Sequence, residues 1–234
     1  MNANVYRNNP RTSTTSVLTE CVCRNYIKVP FGKSPQWSTL HTSTETSRNN
    51  LGPAKIADHW QGLVQAKFNS VDALLEVPGE ADRVWAFRGL EFVRIQVLPG
   101  GKGKSTFGPA KIANHWPSLV KAGFATVDAI LPVPGQPYEA YVFNQDRYAK
   151  ISLTPGSPNS GLLSAPAKIT DDWPSLAKAG FGTIDTAVVA KGIPEHAWVF
   201  YDDQYVRIKI TPGDSELVFG PASVQKHWPN LDWV

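Results

Sequence analysis

The sequence predicts an all-β fold with short helices, closed as a four-bladed β-propeller. Three observations predict it. A segment is repeated: LGPAKIADHW opens one copy at Leu51, FGPAKIANHW a second at Phe107, APAKITDDW a third at Ala165, and FGPASVQKHWPNLDWV a truncated fourth at Phe219. The register is regular, because Pro53, Pro109, Pro166 and Pro221 recur at steps of 56, 57 and 55 residues, as do Trp60, Trp116, Trp173 and Trp228. The chain also carries 19 Pro and 18 Gly in 234 residues, enough turn formers to separate many short strands. A unit of this size cannot bury both faces of its own sheet, so copies must stack in a line or close into a ring.

The second copy justifies each element in order. Gly108-Pro109 opens a predicted helix over 110–123, with the proline at an early helical position and Gly123 as the C-terminal cap. Ile112, Trp116 and Leu119 fall at i, i+4 and i+7, one buried stripe. TVDAIL is the first strand, Pro134-Gly135 a turn, EAYVF the second strand, and Asn144-Gln145-Asp146 a tight loop. RYAKISL is the third strand, ended by Thr154-Pro155-Gly156. LVFG at 217–220 marks a fourth strand before the next helix. Counted from the strand after each helix, VDALL, VDAIL and IDTAV begin three complete units. The first 50 residues read as a worn fourth: MNANVY stands where VDALLE stands, and NYIKVPFGK where QYVRIKITPGD stands. The blades are then 1–66, 67–122, 123–179 and 180–234 of a single domain.

Composition narrows the function classes. Residues 1–50 hold six Lys/Arg against two acids, and the other 184 hold 17 against 18, so no clustered basic stripe for nucleic acid exists. No apolar run approaches the length of a membrane span. The start, MNANVYRNNPRTSTTS, has no apolar core of a secretory signal, so the expectation is a cytoplasmic or storage location. Cys21 and Cys23 are one residue apart, on opposite faces of a strand, and are not expected to pair with each other. A homodimer is compatible with the sequence. Elbow serines, phosphate-cradling loops and H-E-x-x-H are absent, so no catalytic constellation emerges.

Val/Ile-Asp-Ala, an Ala-Tyr-Val-Phe-like strand, Tyr-x-Arg/Lys-Ile, and Gly-Pro…Ile…Trp-Pro-x-Leu together resemble the hemopexin repeat, well over 51–234 and loosely over 1–50. Four repeats without a closing disulfide resemble the plant albumin-2 and hemopexin-fold lectin group. That resemblance implies an axial tunnel lined by the innermost strands. It implies a calcium or sodium ion on the main-chain oxygens of Asn2, Asp72, Asp128 and Asp185, with chloride as a companion. Hard cations favour such oxygen ligands. The alternative is that the Asp side chains cap local turns and the tunnel holds water. Haem is not expected, because scattered His and the lone Met1 offer no axial pair.

Other recurring residues have bland roles. His59, His115 and His227, with Asp172, precede each helix Trp; one per blade, they are too far apart for one zinc and are expected as solvated helix positions. Trp85, Tyr141 and Trp198, with Phe87, Phe143 and Phe200, are expected in two rows on alternate faces of the second strand. Trp37 is unmatched in the other copies and lies in a segment with eight Ser/Thr over 34–48, a candidate for stacking on a sugar. The leading expectation is a non-enzymatic binding protein for a glycan, polyamine or other small molecule. The alternatives are a protein-interaction or toxin-like module and an enzyme using the tunnel mouth.

Overall fold

A computed structural model of the chain describes residues 36–37, 54–56, 60–98, 102–190 and 192–227. Asn2, Cys21, Cys23, His59 and Trp228 lie outside the described residues, as does most of the predicted first blade. Two short strands, β1 (Gln36–Trp37) and β2 (Ala54–Lys55), pair antiparallel, and helix α1 (Gln61–Gln65) follows. Then come three antiparallel sheets. The first is β3 (Ala73–Glu76), β4 (Arg83–Arg88), β5 (Glu91–Gln96) and β6 (Ser105–Lys111). Helices α2 (Ile112–His115) and α3 (Pro117–Ala122) lead to the second: β7 (Ala129–Val133), β8 (Gln136–Asn144), β9 (Arg147–Thr154), β10 (Ser157–Leu162) and the short β11 (Ala167–Lys168). Helices α4 (Ile169–Asp172) and α5 (Pro174–Ala179) lead to the third: β12 (Thr186–Ala190), β13 (Ile193–Tyr201), β14 (Gln204–Lys209) and β15 (Leu217–Ser223), followed by α6 (Val224–His227). Strand β7 lies beside both β3 and β12, so the first strands of the three sheets are neighbours.

Each β–turn–β unit follows from local chemistry. The hairpins β4–β5, β8–β9 and β13–β14 turn on two residues, the first of which is left-handed: Gly89 at φ 53°, Gln145 at 54° and Asp202 at 53°. A side chain in that region costs roughly 1–2 kcal/mol. A repeated hydrogen bond offsets the cost. The N–H groups of Gly89, Gln145 and Asp202 donate to Oδ2 of Asp72, Asp128 and Asp185 at 2.7, 2.6 and 2.7 Å.

The expected helix over 110–123 is corrected. Gly108 and Pro109, joined by a cis peptide, belong to β6, and the helix is two pieces broken at Trp116 (φ −111°, ψ 78°). Pro117 causes the break, since its ring disfavours helical geometry at the residue before it. Trp173, before Pro174, has φ −117° and ψ 77°. The prolines placed for a helix start are therefore Pro117 and Pro174. Gly123 caps as predicted, at φ 71°.

The core sits between sheets. One cluster joins Leu75, Trp85 and Phe87 of the first sheet to Trp116 and to Ile130 and Val142 of the second. Another joins Leu131, Tyr141 and Phe143 to Trp173 and to Val199 and Ile208 of the third. The expectation of two alternate aromatic rows is overturned. Trp85 and Phe87 are two residues apart, share one face of the strand, and both pack on Trp116, at 5.9 and 5.1 Å between ring centres.

Candidate functional site

The first strands β3, β7 and β12 line a cavity of about 610 Å³. Its wall is mostly aliphatic, with Leu74, Ile130, Ala187 and Val188 among the lining side chains. Strand alternation explains this: the inner strand of a sheet that is covered on both sides shows apolar residues to each. Its polar lining groups are Glu76, Glu80, Glu139, the buried Thr186 and the half-exposed Tyr138.

Two of those carboxylates are already engaged. Glu80 Oε2 accepts from Arg83 at 2.7 Å, and Glu139 lies 2.6 Å from Lys150 Nζ. Glu76 has no partner among the described residues. It is exposed at the last position of β3, and partial burial beside the cavity wall raises its carboxyl above the ordinary value. It stands where the other copies carry Pro132 and Val189. Glu76 was not singled out from the sequence; its mismatch with the other copies was the available signal, and its significance depends on the cavity.

Asp72, Asp128 and Asp185 come just before these three strands, and each N–H is bound by a carbonyl of the neighbouring strand, of Phe87, Phe143 and Phe200. Their carboxylates face the hairpin amides described above rather than one another. A cation shared among the blades would therefore depend on main-chain oxygens. Trp37 lies on β1 with its backbone paired opposite Ala54.

Of the positions before each helix Trp, His227 is exposed as expected, whereas His115 and Asp172 are half-buried, and His59 lies outside the described residues. His115 packs edge-on against Phe92 and Phe107, at 5.7 and 5.3 Å. His227 does the same against Tyr205 and Phe219, at 6.2 and 6.4 Å. Asp172 Oδ2 accepts from Tyr148 Oη at 2.9 Å. All three residues cover the same aromatic position of the third strand, Phe92, Tyr148 or Tyr205. Burial and the bond to Asp172 push the Tyr148 phenol far above its usual range.

No family model matches the chain. It is similar to Albumin-2 of Lathyrus sativus, 28% identical over 207 residues that span 86% of this chain and 89% of the relative. It is also similar to Albumin-2 of Pisum sativum, 26% identical over 193 residues, 80% and 81% of the two chains. Among solved structures it resembles the hemopexin fold protein CP4 from cow pea, with a TM-score of 0.71, 26% identity, and 87% and 91% of the two chains covered. LS24, a seed albumin from Lathyrus sativus, matches at 0.71 and 25% identity over 84% and 87%. A plant lectin with two metal binding sites from Cicer arietinum shares the fold, at 0.69 and 24% identity over 85% and 92%.

Proposed function

We propose that this chain, a hemopexin-like repeat protein resembling the plant albumin-2 and hemopexin-fold lectin group, is a non-enzymatic binding protein that holds a small cationic ligand of polyamine type in its axial cavity. The carrying observation is Glu76, an unpartnered carboxylate in the lining of an aliphatic cavity of about 610 Å³. Methylene segments of a polyamine match the wall, and one ammonium group answers the carboxylate. Glu76 is exposed at the end of β3, so a ligand ammonium can reach it from solvent.

The pH dependence has a defined sign. A carboxyl raised by burial penalises the folded state when ionised. The penalty is absent below its ordinary value of about 4.3 and complete above the raised value. Glu76→Gln should therefore melt higher than the parent at pH 8 and with it at pH 4. Spermidine binding to the parent should strengthen as pH rises through the same window. In calorimetry at pH 8, Glu76→Gln should weaken it roughly tenfold or more. Unchanged spermidine affinity in that variant would sink the reading.

The ring itself completes the proposal. Residues 1–66, 67–122, 123–179 and 180–234 form four blades, and an axial calcium or sodium ion, with chloride as companion, rests on main-chain oxygens of Asn2, Asp72, Asp128 and Asp185. Among the described residues, no histidine lines the cavity. Because Asp72 serves the Gly89 amide through its side chain, Asp72→Asn keeps an acceptor for that amide. Calcium should raise the melting temperature of parent and Asp72→Asn alike. Loss of the calcium shift in Asp72→Asn alone would instead assign the ion to the side chain.

A lectin is the second reading, with Trp37, unmatched in its polar segment, as the ring that stacks on a glycan. Glycan-array binding lost in Trp37→Ala would favour it. The likeness to a seed albumin supports a storage compartment as the place of action.

A further inference from the structure

The clefts between successive sheets are not equivalent. Between the first and second sheets the gap is braced. Arg94, opposite Trp85 in the ladder, lays its guanidinium 5.2 Å from that ring. Its Nη1 donates across to the carbonyl of Gly156 at 2.8 Å and lies 3.5 Å from Glu80 Oε1. The N–H of Gly156 in turn donates to the carbonyl of Pro78 at 3.2 Å. The two turns are thus tied directly to each other.

Between the second and third sheets the same positions read differently. Lys150 stands opposite Tyr141, and its ammonium is held by Glu139 of its own sheet at 2.6 Å. That ion pair keeps Lys150 from bridging. The matching glycine, Gly213, donates to the carbonyl of Asp172 at 2.6 Å, not to a turn of the second sheet. A cleft of about 440 Å³, crossed among the described residues neither by an arginine nor by a turn-to-turn bond, is lined by Tyr141, Lys150, Ser164, Glu195, Lys209 and Thr211, with Pro134 and Pro212 as apolar walls.

The chemistry of the lining selects a ligand class. Lys150 is neutralised by Glu139. Lys209 and Glu195 form no ion pair among the described residues, and their charges cancel in sum. Neither an anion nor a cation is therefore favoured. Ser164 Oγ already accepts from the Lys150 N–H, which leaves its proton free to donate. Thr211 and Tyr141 add hydroxyls that both donate and accept. Burial holds the Tyr141 phenol in its protonated form. A molecule that presents hydroxyls around its edge and C–H groups on its face satisfies this mixture.

We propose that the cleft between the second and third sheets is a saccharide site that takes one neutral pyranose unit. It is separate from the axial cavity and from Trp37, so its failure would leave the polyamine reading standing, and the reverse also holds.

The test is a titration of the full chain with methyl glycosides of glucose, mannose, galactose and N-acetylglucosamine, followed by amide chemical shifts. At least one glycoside should move the amides of Glu195, Lys209 and Thr211, with a dissociation constant on the order of 1 mM, as expected for a ligand this small. Thr211→Val should weaken binding several-fold. Glu139→Gln/Lys150→Arg should rebuild the brace, with the arginine free to cross to Gly213, and should weaken binding roughly tenfold or more without deleting a lining hydroxyl. No shift with any glycoside would overturn the proposal. So would shifts confined to Leu74, Glu76 and Tyr138, or a folded brace variant that binds like the parent.

Discussion

Trp116→Ala is expected to destabilise the chain by about 3–5 kcal/mol, the usual cost of truncating a buried aromatic. Trp116 is 1% exposed and lies within 6 Å, centre to centre, of Trp85, Phe87 and Phe92. It is the wedge that seats the helix pair on the core joining two sheets. Its neighbours belong to rigid strands and cannot collapse into the space it leaves. Trp116→Phe should behave differently. The buried indole Nε1 of Trp116 has no hydrogen-bond partner among the described residues, a burden of about 1–3 kcal/mol that phenylalanine does not carry. The smaller ring should therefore lose much less than alanine, because relief of that burden offsets part of the lost volume. Denaturant unfolding with a constant slope measures both. An alanine loss under about 1 kcal/mol would show that Trp116 does not hold the inter-sheet core. A phenylalanine loss equal to the alanine loss would show that the indole N–H finds water.

The second large effect is at Arg94. Arg94→Met keeps a long apolar stem over Trp85 and removes the bond to Gly156. Hydrogen bonds from charged groups contribute about 1.5–3 kcal/mol, and the loss should fall in that range. Glu80 retains Arg83 at 2.7 Å, so no carboxylate is left alone. Lys150→Met is the control. It breaks an ion pair within one sheet rather than a tie between two, and should cost less, despite the shorter distance at Lys150. Equal losses would mean that the two clefts are braced alike and that the difference between them has been misjudged.

Much of this fold was legible in the residues. The repeat placed the strands of all three described sheets, because proline, glycine and alternating apolar residues act locally. Gly123, Gln145 and Gly156 are found in the turns that their neighbours implied. What failed depended on details that a pattern does not carry. Gly108-Pro109 reads as a helix start by composition, yet belongs to a strand, and Pro117 is the residue that sets the break at Trp116. His115 looked solvated because a histidine before a helix Trp is polar in sequence, yet it is half-buried, while His227 is exposed as expected but still lies edge-on to two rings. Only packing reveals the aromatic pair beneath each ring.

The site was partly legible for the same reason. The side chains of Asp72, Asp128 and Asp185 cap the hairpin amides, as the alternative reading of these residues had it, since an Asp before a strand can reach the amide of the adjacent hairpin; those bonds leave the main-chain ion expectation open. Glu76 and Lys150 were visible as departures from the repeat, facing Pro132 and Val189 in one case and Arg94 and Arg207 in the other. Their meaning needed three dimensions: a cavity beside Glu76, and Glu139 within 2.6 Å of Lys150. Loss of symmetry, rather than symmetry, marked both candidate sites.

The most direct measurement is the electron density around the ring axis in crystals grown with calcium. The account predicts a fourth sheet built from residues 1–50, which closes the ring against the third. It predicts a peak on the axis about 2.3–2.6 Å from the main-chain oxygens of Asn2, Asp72, Asp128 and Asp185, the range for calcium and oxygen. Residues 1–50 folded as an independent domain, or four units arranged in a line, would contradict it.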